Sequence, residues 1–185
     1  MKKSLAILIA TFLTITCETY SQESNPKKWG LEVELVQPWM PTAHIFRIQA
    51  TRTLTKPDSK FRGDLLVGAY IRSNVKHEIV EKINEYLLIL GYRQFLLRGL
   101  HIEAKTNIGQ SWGTRNLIDG KDYKELSWFW EANIGYKFNF LKKQQYNLYI
   151  IPQAGILSSI SSNIGPRGGR SDTFIHGNLL LGINF

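Results

Sequence analysis

Histidine occurs four times in this 185-residue chain, and each copy limits the chemistry available. An activated nucleophile needs a hydroxyl or thiol within hydrogen-bond reach of a base that a third group orients. His176 is followed two residues on by Asn178 rather than Ser, but Ser158 and Ser159 lie on the segment before it, and Ser159 has the matching inward parity. Ser159 and His176, with Glu131 or Glu103 as the acid, form the one combination with the makings of an acyl-transfer site. The reading to prefer for the same residues is a hydrogen-bonded interior polar cluster with no catalytic role. His44 falls among apolar residues and His77 in a polar stretch. His44, His77, His101 and His176 show no metal-ligand spacing, so neither a metal nor a cofactor is expected.

Other motifs carry less. The stretch Ile164-Gly165-Pro166-Arg167-Gly168-Gly169-Arg170 is glycine-rich, but no helix pattern or Lys-Ser/Thr pair follows it, so it is no phosphate-binding loop. Arg167 and Arg170 suit phosphate groups on a surface glycolipid, or simply a solvated loop. Lys76, His77, Glu78, Glu81 and Lys82 mix both signs, as a solvated loop face does. Nucleic acid is not an expected partner, because no basic helix and no aromatic platform on a polar face is present.

The N-terminus argues export. Lys2 and Lys3 precede an apolar run from Leu5 to Leu13, and Thr19-Tyr20-Ser21 places small residues for a cut before Gln22. The run is too short to cross a bilayer as a helix. A signal peptide over 1–21 and one domain over 22–185 are therefore expected. Cys17 is the only cysteine. The residues before it, Thr14-Ile15-Thr16, fit a lipoprotein cut poorly, so it leaves with the signal peptide and thiol chemistry leaves with it. The mature chain has 164 residues and, once Lys2, Lys3 and Glu18 are gone, a net charge of +7. For an exported basic protein, anionic headgroups or polysaccharide are the expected contacts.

The elements that must position these residues are strands. In Leu126–Phe140, Trp128, Trp130, Ala132, Ile134, Tyr136, Phe138 and Phe140 share one parity, while Glu131, Asn133, Gly135, Lys137 and Asn139 take the other. The same period predicts eight strands, at 29–39, 43–54, 64–73, 85–95, 100–112, 126–141, 146–160 and 173–185. Pro38 marks a strand end, and Pro152 predicts a bulge in the seventh. Residues 75–84 read as a loop with room for a short helix. Connections 55–63, 96–99 and 142–145 are compact, and 40–42 is short. Connections 74–84, 113–125 and 161–172 are longer, polar and rich in Gly, Asn and charge. Such alternation suits an up-and-down antiparallel barrel with both termini on one side.

Which face is apolar decides the barrel type. With the N-terminus at the inner end, Trp39, Tyr86, Trp112, Trp128 and Trp130 collect at the outer end. Trp29, Tyr92, Tyr136, Phe138, Phe140 and Phe185 collect at the inner one, all on the apolar face. Amphipathic rings at both edges of an apolar band are what two lipid–water interfaces select. The other face carries Glu32, Glu34, Glu103 and Glu131 against Arg47, Arg72, Arg93, Lys105 and Lys137, with Gln49, Tyr70, His101, Asn107, His176 and Asn178. Charges inside a barrel must be paired to be tolerated, so a salt-bridged plug is expected rather than a pore.

The C-terminal run His176-Gly177-Asn178-Leu179-Leu180-Leu181-Gly182-Ile183-Asn184-Phe185 ends on an aromatic residue, with Leu179, Leu181 and Ile183 on its face. With the eight strands and Gly91-Tyr92-Arg93 before a turn at Leu97-Arg98-Gly99, it resembles the small outer-membrane β-barrel families of the outer membrane protein A and X architecture, porin-like in the broad sense. The resemblance implies an all-β, eight-stranded antiparallel up-and-down transmembrane barrel in the outer membrane of a Gram-negative bacterium, with both termini periplasmic. It implies Phe185 as the signal read by the outer-membrane assembly machinery, and membrane lipid and lipopolysaccharide as partners. Activities known among such barrels add two alternatives to a non-enzymatic role in envelope integrity or surface contact. These are a lipid-A-modifying hydrolase or acyltransferase built on His176, Ser159 and Glu131, and a narrow channel for small solutes.

Overall fold

Alternation at 126–140 becomes a strand whose two faces meet different surroundings, and the same holds around the chain. The computed structural model describes residues 27–40, 43–55, 62–76, 80–161 and 173–185. The expected signal peptide with Cys17, and Arg167 and Arg170 in the glycine-rich stretch, lie outside the described residues. The strands are β1 (Trp29–Glu34), β2 (Ile45–Thr53), β3 (Gly63–Val75), β4 (Val80–Leu97), β5 (Leu100–Asn116), β6 (Tyr123–Tyr136), β7 (Phe138–Lys142), β8 (Asn147–Ser161) and β9 (Thr173–Asn184). No α-helix occurs among the described residues; a 3-10 turn at Gln37–Trp39 follows β1.

Neighbours in sequence pair antiparallel, β1 pairs with β9, and both β6 and β7 pair with β8, so the sheet closes on itself. Because β6 and β7 are one strand interrupted at Lys137, the architecture is an eight-stranded antiparallel barrel. Closure is completed at the termini, where the Phe185 N–H donates to the Trp29 carbonyl at 2.9 Å. Following paired residues round the barrel leads from Trp29 through Arg52, Leu65, Tyr92, Ala104, Ala132, Ile156 and Ile175. Extending the β1–β9 register, the path regains the first strand at position 39, well above its start. That stagger forces the strands to tilt, by roughly 35–45° in barrels of this kind.

The strand boundaries correct several expectations. β1 is shorter than 29–39, since Pro38 belongs to the 3-10 turn. Among the described residues of 75–84 there is no helix, and most belong to strands. β3 runs to Val75 and β4 starts at Val80, and Val75, Val80 and Ile83 pack as a buried cluster. Likewise β5 and β6 reach Asn116 and Tyr123, leaving a turn at 117–122 instead of a loop over 113–125. β3 to β6 thus stand as a wall above the ends of β1 and β2. No bulge forms at Pro152, which pairs in register with Leu179. Pro152 has no N–H to give the neighbouring strand, and position 136 opposite it is where β6 breaks off before Lys137.

The barrel is apolar outside and polar inside. Leu31, Leu65, Val67, Leu88, Leu90, Ile102, Ile134, Ile156 and Leu181 are exposed on the outer face. Aromatic rings border this band. Trp29, Tyr136, Phe138, Phe140 and Phe185 lie at the end holding both termini, with Tyr92 a little above them. Tyr86, Trp112, Trp128 and Trp130 lie at the other end, and Tyr86 meets Trp112 edge to face at 5.4 Å.

Glycine on the inner face makes room for longer side chains. A Cβ on Gly182 would lie 2.3 Å from the Tyr149 ring, which itself carries the Lys137 ammonium 3.6 Å from its centroid. Gly182→Val is therefore expected to displace Tyr149 and cost about 1–3 kcal/mol. Equilibrium urea unfolding followed by tryptophan fluorescence measures this as a lower midpoint at unchanged slope.

Candidate functional site

The interior charges come together as a chain that alternates in sign. Arg93 on β4 donates to both Glu32 oxygens, at 2.7 and 2.8 Å, and reaches Glu103 on β5 at 2.6 Å. Lys105, two residues along β5, bridges Glu103 at 2.9 Å and Glu131 at 3.4 Å. Arg47 on β2 closes the series on Glu131 at 3.0 Å. Period 2 explains why each side chain points inward, and the stagger of the barrel explains why they meet. Arg93 and Glu103 are directly paired across β4 and β5, as are Lys105 and Glu131 across β5 and β6. Three carboxylates and three cations alternate along this chain.

Neutral groups complete it. Tyr149 and Gln49 donate to Glu32, at 2.9 and 2.6 Å. Gln153 donates to Glu103 at 3.3 Å, and Asn107 to Glu131 at 2.9 Å. Every member of the ion chain is almost wholly buried, with Arg93 at 0% exposure. Ions so buried are tolerable only when each is paired.

Not every expected member joins. Glu34 makes no ion pair among the described residues. One of its oxygens instead accepts the N–H groups of Val36, Gln37 and Leu179, which holds the turn after β1 against β9. Lys137 has no carboxylate partner among the described residues; it lies over Tyr149 and donates to Asn184 at 3.3 Å. Arg72 belongs to a separate cluster nearer the wall, 3.5 Å from Glu85, which also accepts from Tyr70 and Ser111. Sequence reasoning missed Glu85 and Asp64, which bonds to Thr53 at 2.8 Å and lies 3.6 Å from Arg62. Both were readable by parity, since Glu85 keeps step with Arg93 and Asp64 with Tyr70. Each sits at an end of its expected strand, where parity is easily discounted.

The hydrolase constellation is not assembled. His176 pairs across β8 and β9 with Gly155, which leaves Ser159 four residues further along β8, about 13 Å at strand rise. His176 Nδ1 faces the Asn178 side chain at 3.3 Å, while Ser159 Oγ has no hydrogen-bond partner among the described residues. Glu131 is committed to Arg47, Lys105 and Asn107. His101 contacts the Gly99 carbonyl and Gln153, and His44 is exposed just before β2. Among the described residues, no group of three or more His, Cys, Asp or Glu side chains forms a metal cluster.

Compared with protein-family models, with curated proteins and with solved structures, the chain matches none. What the arrangement does chemically must therefore be read from its own residues. A cross-section filled by paired ions and long side chains ties β1, β2, β4, β5, β6 and β8 to one another, and Ser159 and His176 do not meet in it.

Removing one partner isolates the value of the chain. Arg93→Met leaves Glu32 buried without its cation and Glu103 with Lys105 alone, and is expected to cost about 3–5 kcal/mol. Replacing Arg93, Glu32 and Glu103 together by Met, Leu and Met should recover most of that loss. Urea midpoints of the single and triple variants measure both; equal destabilisation would show that packing volume, not charge, is what Arg93 supplies.

Proposed function

We propose that this protein is an outer-membrane β-barrel of a Gram-negative bacterium, non-enzymatic, with a plugged interior and a surface-facing wall that contacts molecules outside the cell. The observation that carries this reading is the inverted polarity of the barrel. Leu88, Leu90 and Ile102 face outward on β4 and β5, where Arg93, Glu103 and Lys105 face inward. A water-soluble barrel with this polarity would expose its hydrophobic surface and bury its ions. A lipid environment makes both placements favourable, because closed strands satisfy their backbone hydrogen bonds internally. Aromatic rings at both edges of the band add support. Both termini then lie in the periplasm, after removal of the signal peptide at 1–21. Phe185, at the seam with Trp29, serves as the assembly signal.

Envelope integrity and surface contact are the roles that suit such a body. Leu117 and Ile118 stand exposed at the tip of the wall, 65% and 57% accessible, in a turn otherwise polar. That turn is ordered by its own hydrogen bonds. Asp119 accepts from the Tyr123 hydroxyl and the Lys121 N–H, which holds its carboxyl below the usual range. An ordered tip with two apolar side chains suits contact with a protein or lipopolysaccharide better than solvation alone. The channel alternative is weakened by the ion chain across the lumen, and the lipid-A hydrolase alternative by the distance between Ser159 and His176.

Fractionation tests the location. The protein should remain with membranes through high-salt and alkaline washes and be released by detergent as a heat-modifiable species; recovery in the aqueous periplasmic fraction would refute the proposal. Reconstituted in a planar bilayer, it should show no steady open state, whereas stable single-channel conductance would favour the channel.

A further inference from the structure

The two ends of the barrel differ in charge. At the end holding both termini the described residues include Lys27, Lys28, Arg52, Arg98, Lys142 and Lys143 around the rim. The acidic side chain described there, Asp64, is buried and turned inward to Thr53 and Arg62. At the opposite end, Lys76, Lys82, Arg115, Lys121 and Lys124 are mixed with Glu81, Asp119, Asp122 and Glu125, and Arg115 lies 3.5 Å from Glu81. Among the described residues, one rim is mixed in sign and the exposed charges of the other are cations.

The fold gathers these cations against their repulsion. Lys27 donates to the Lys143 carbonyl at 2.6 Å and to Asn147 at 2.7 Å, which pins the segment before β1 to the turn between β7 and β8. Lys27, Lys28 and Lys143 are thereby held in one neighbourhood. Arg98 sits at the tip of the turn between β4 and β5 with a φ of 51°, exposed. Arg52 lies 5.1 Å over the ring of Trp29, one of the aromatic residues edging the apolar band. Cations thus follow directly on interfacial aromatics around the circumference, rather than lining one pocket.

We propose that this basic rim docks the headgroups of anionic glycerophospholipids in the leaflet that surrounds the end carrying the termini, an inference that rests on the membrane reading above. Phosphodiester oxygens lie at the level just beyond an aromatic girdle, where ammonium and guanidinium groups meet them with charge-assisted hydrogen bonds. A ring spread round the barrel suits many headgroups in a lipid annulus and not one free anion. Several cations acting together beside an anionic surface make a preference on the order of tenfold over zwitterionic lipid.

Native mass spectrometry of the detergent-folded protein, titrated with phosphatidylglycerol or phosphatidylcholine, tests this. The wild type should retain phosphatidylglycerol by on the order of tenfold more than phosphatidylcholine. The variant Lys28→Gln/Arg98→Gln/Lys143→Gln should bring the two near parity. Lys76→Gln/Lys82→Gln/Lys121→Gln removes the same charge from the other end and should leave the preference intact. Equal retention of both lipids by the wild type, or equal loss in both variants, would overturn the inference. So would displacement of the lipid by excess inorganic phosphate, which would point to a site for the free anion. Raising the salt concentration should erode the wild-type preference without any substitution, and a salt-independent preference would count against it. Failure of the membrane reading is distinguishable, since the protein would then fold and stay soluble without detergent.

Discussion

Arg93 holds two carboxylates at once, Glu32 through both oxygens and Glu103 through one, at a point in the barrel with no access to water. An isolated ion in such surroundings would cost several kcal/mol, so each partner's position is dictated by the other's. The constraint propagates. Glu103 requires Lys105, Lys105 requires Glu131, and Glu131 takes Arg47 from the far side of the barrel. A slip of one residue between any two strands would turn one member of this chain outward and strand its partner. The ion chain is thus a register lock, and the stagger that tilts the strands is the one at which it closes.

That lock accounts for the rest of the inner face. Long charged side chains need space, and inward glycines supply it. A Cβ on Gly91 would meet Lys105, and one on Gly182 would meet Tyr149. Filled in this way, the lumen is crossed by a chain of ions paired to one another. The outer face is free of that demand and is uniformly apolar between two aromatic borders. The two ends differ: one is raised into a wall with an apolar tip at Leu117 and Ile118, and the other carries the described basic residues.

Much of this was legible in the sequence, for a physical reason. Where a strand has one apolar and one polar face, period 2 appears in the residues, as in Trp128 to Phe140. Above the band the exposed side chains are polar, and a register shift between β3 and β4 leaves the buried Val80 and Ile83 out of period 2. Glu81, Lys82 and Asn84 therefore looked like a loop although they belong to β4. Inward parity identified Arg93, Glu103, Lys105, Glu131 and Arg47, but not who meets whom. Arg47 and Glu131 are 84 residues apart, and their meeting depends on closure and stagger. For the same reason Ser159 and His176 passed as neighbours. They share a face and lie on adjacent strands, and only the register separates them.

The central claim is that the uncharged face of the sheet faces lipid. Spin labels on single cysteines at Leu88, Leu90 and Ala104, introduced into the mature protein in lipid vesicles, test it most directly, with Leu117→Cys as the reference at the tip. The account predicts that the three band positions collide readily with oxygen and hardly at all with a water-soluble nickel chelate, and that Leu117 shows the reverse. Strong collision of the chelate at Leu88, Leu90 and Ala104 would place that face in water and contradict the account.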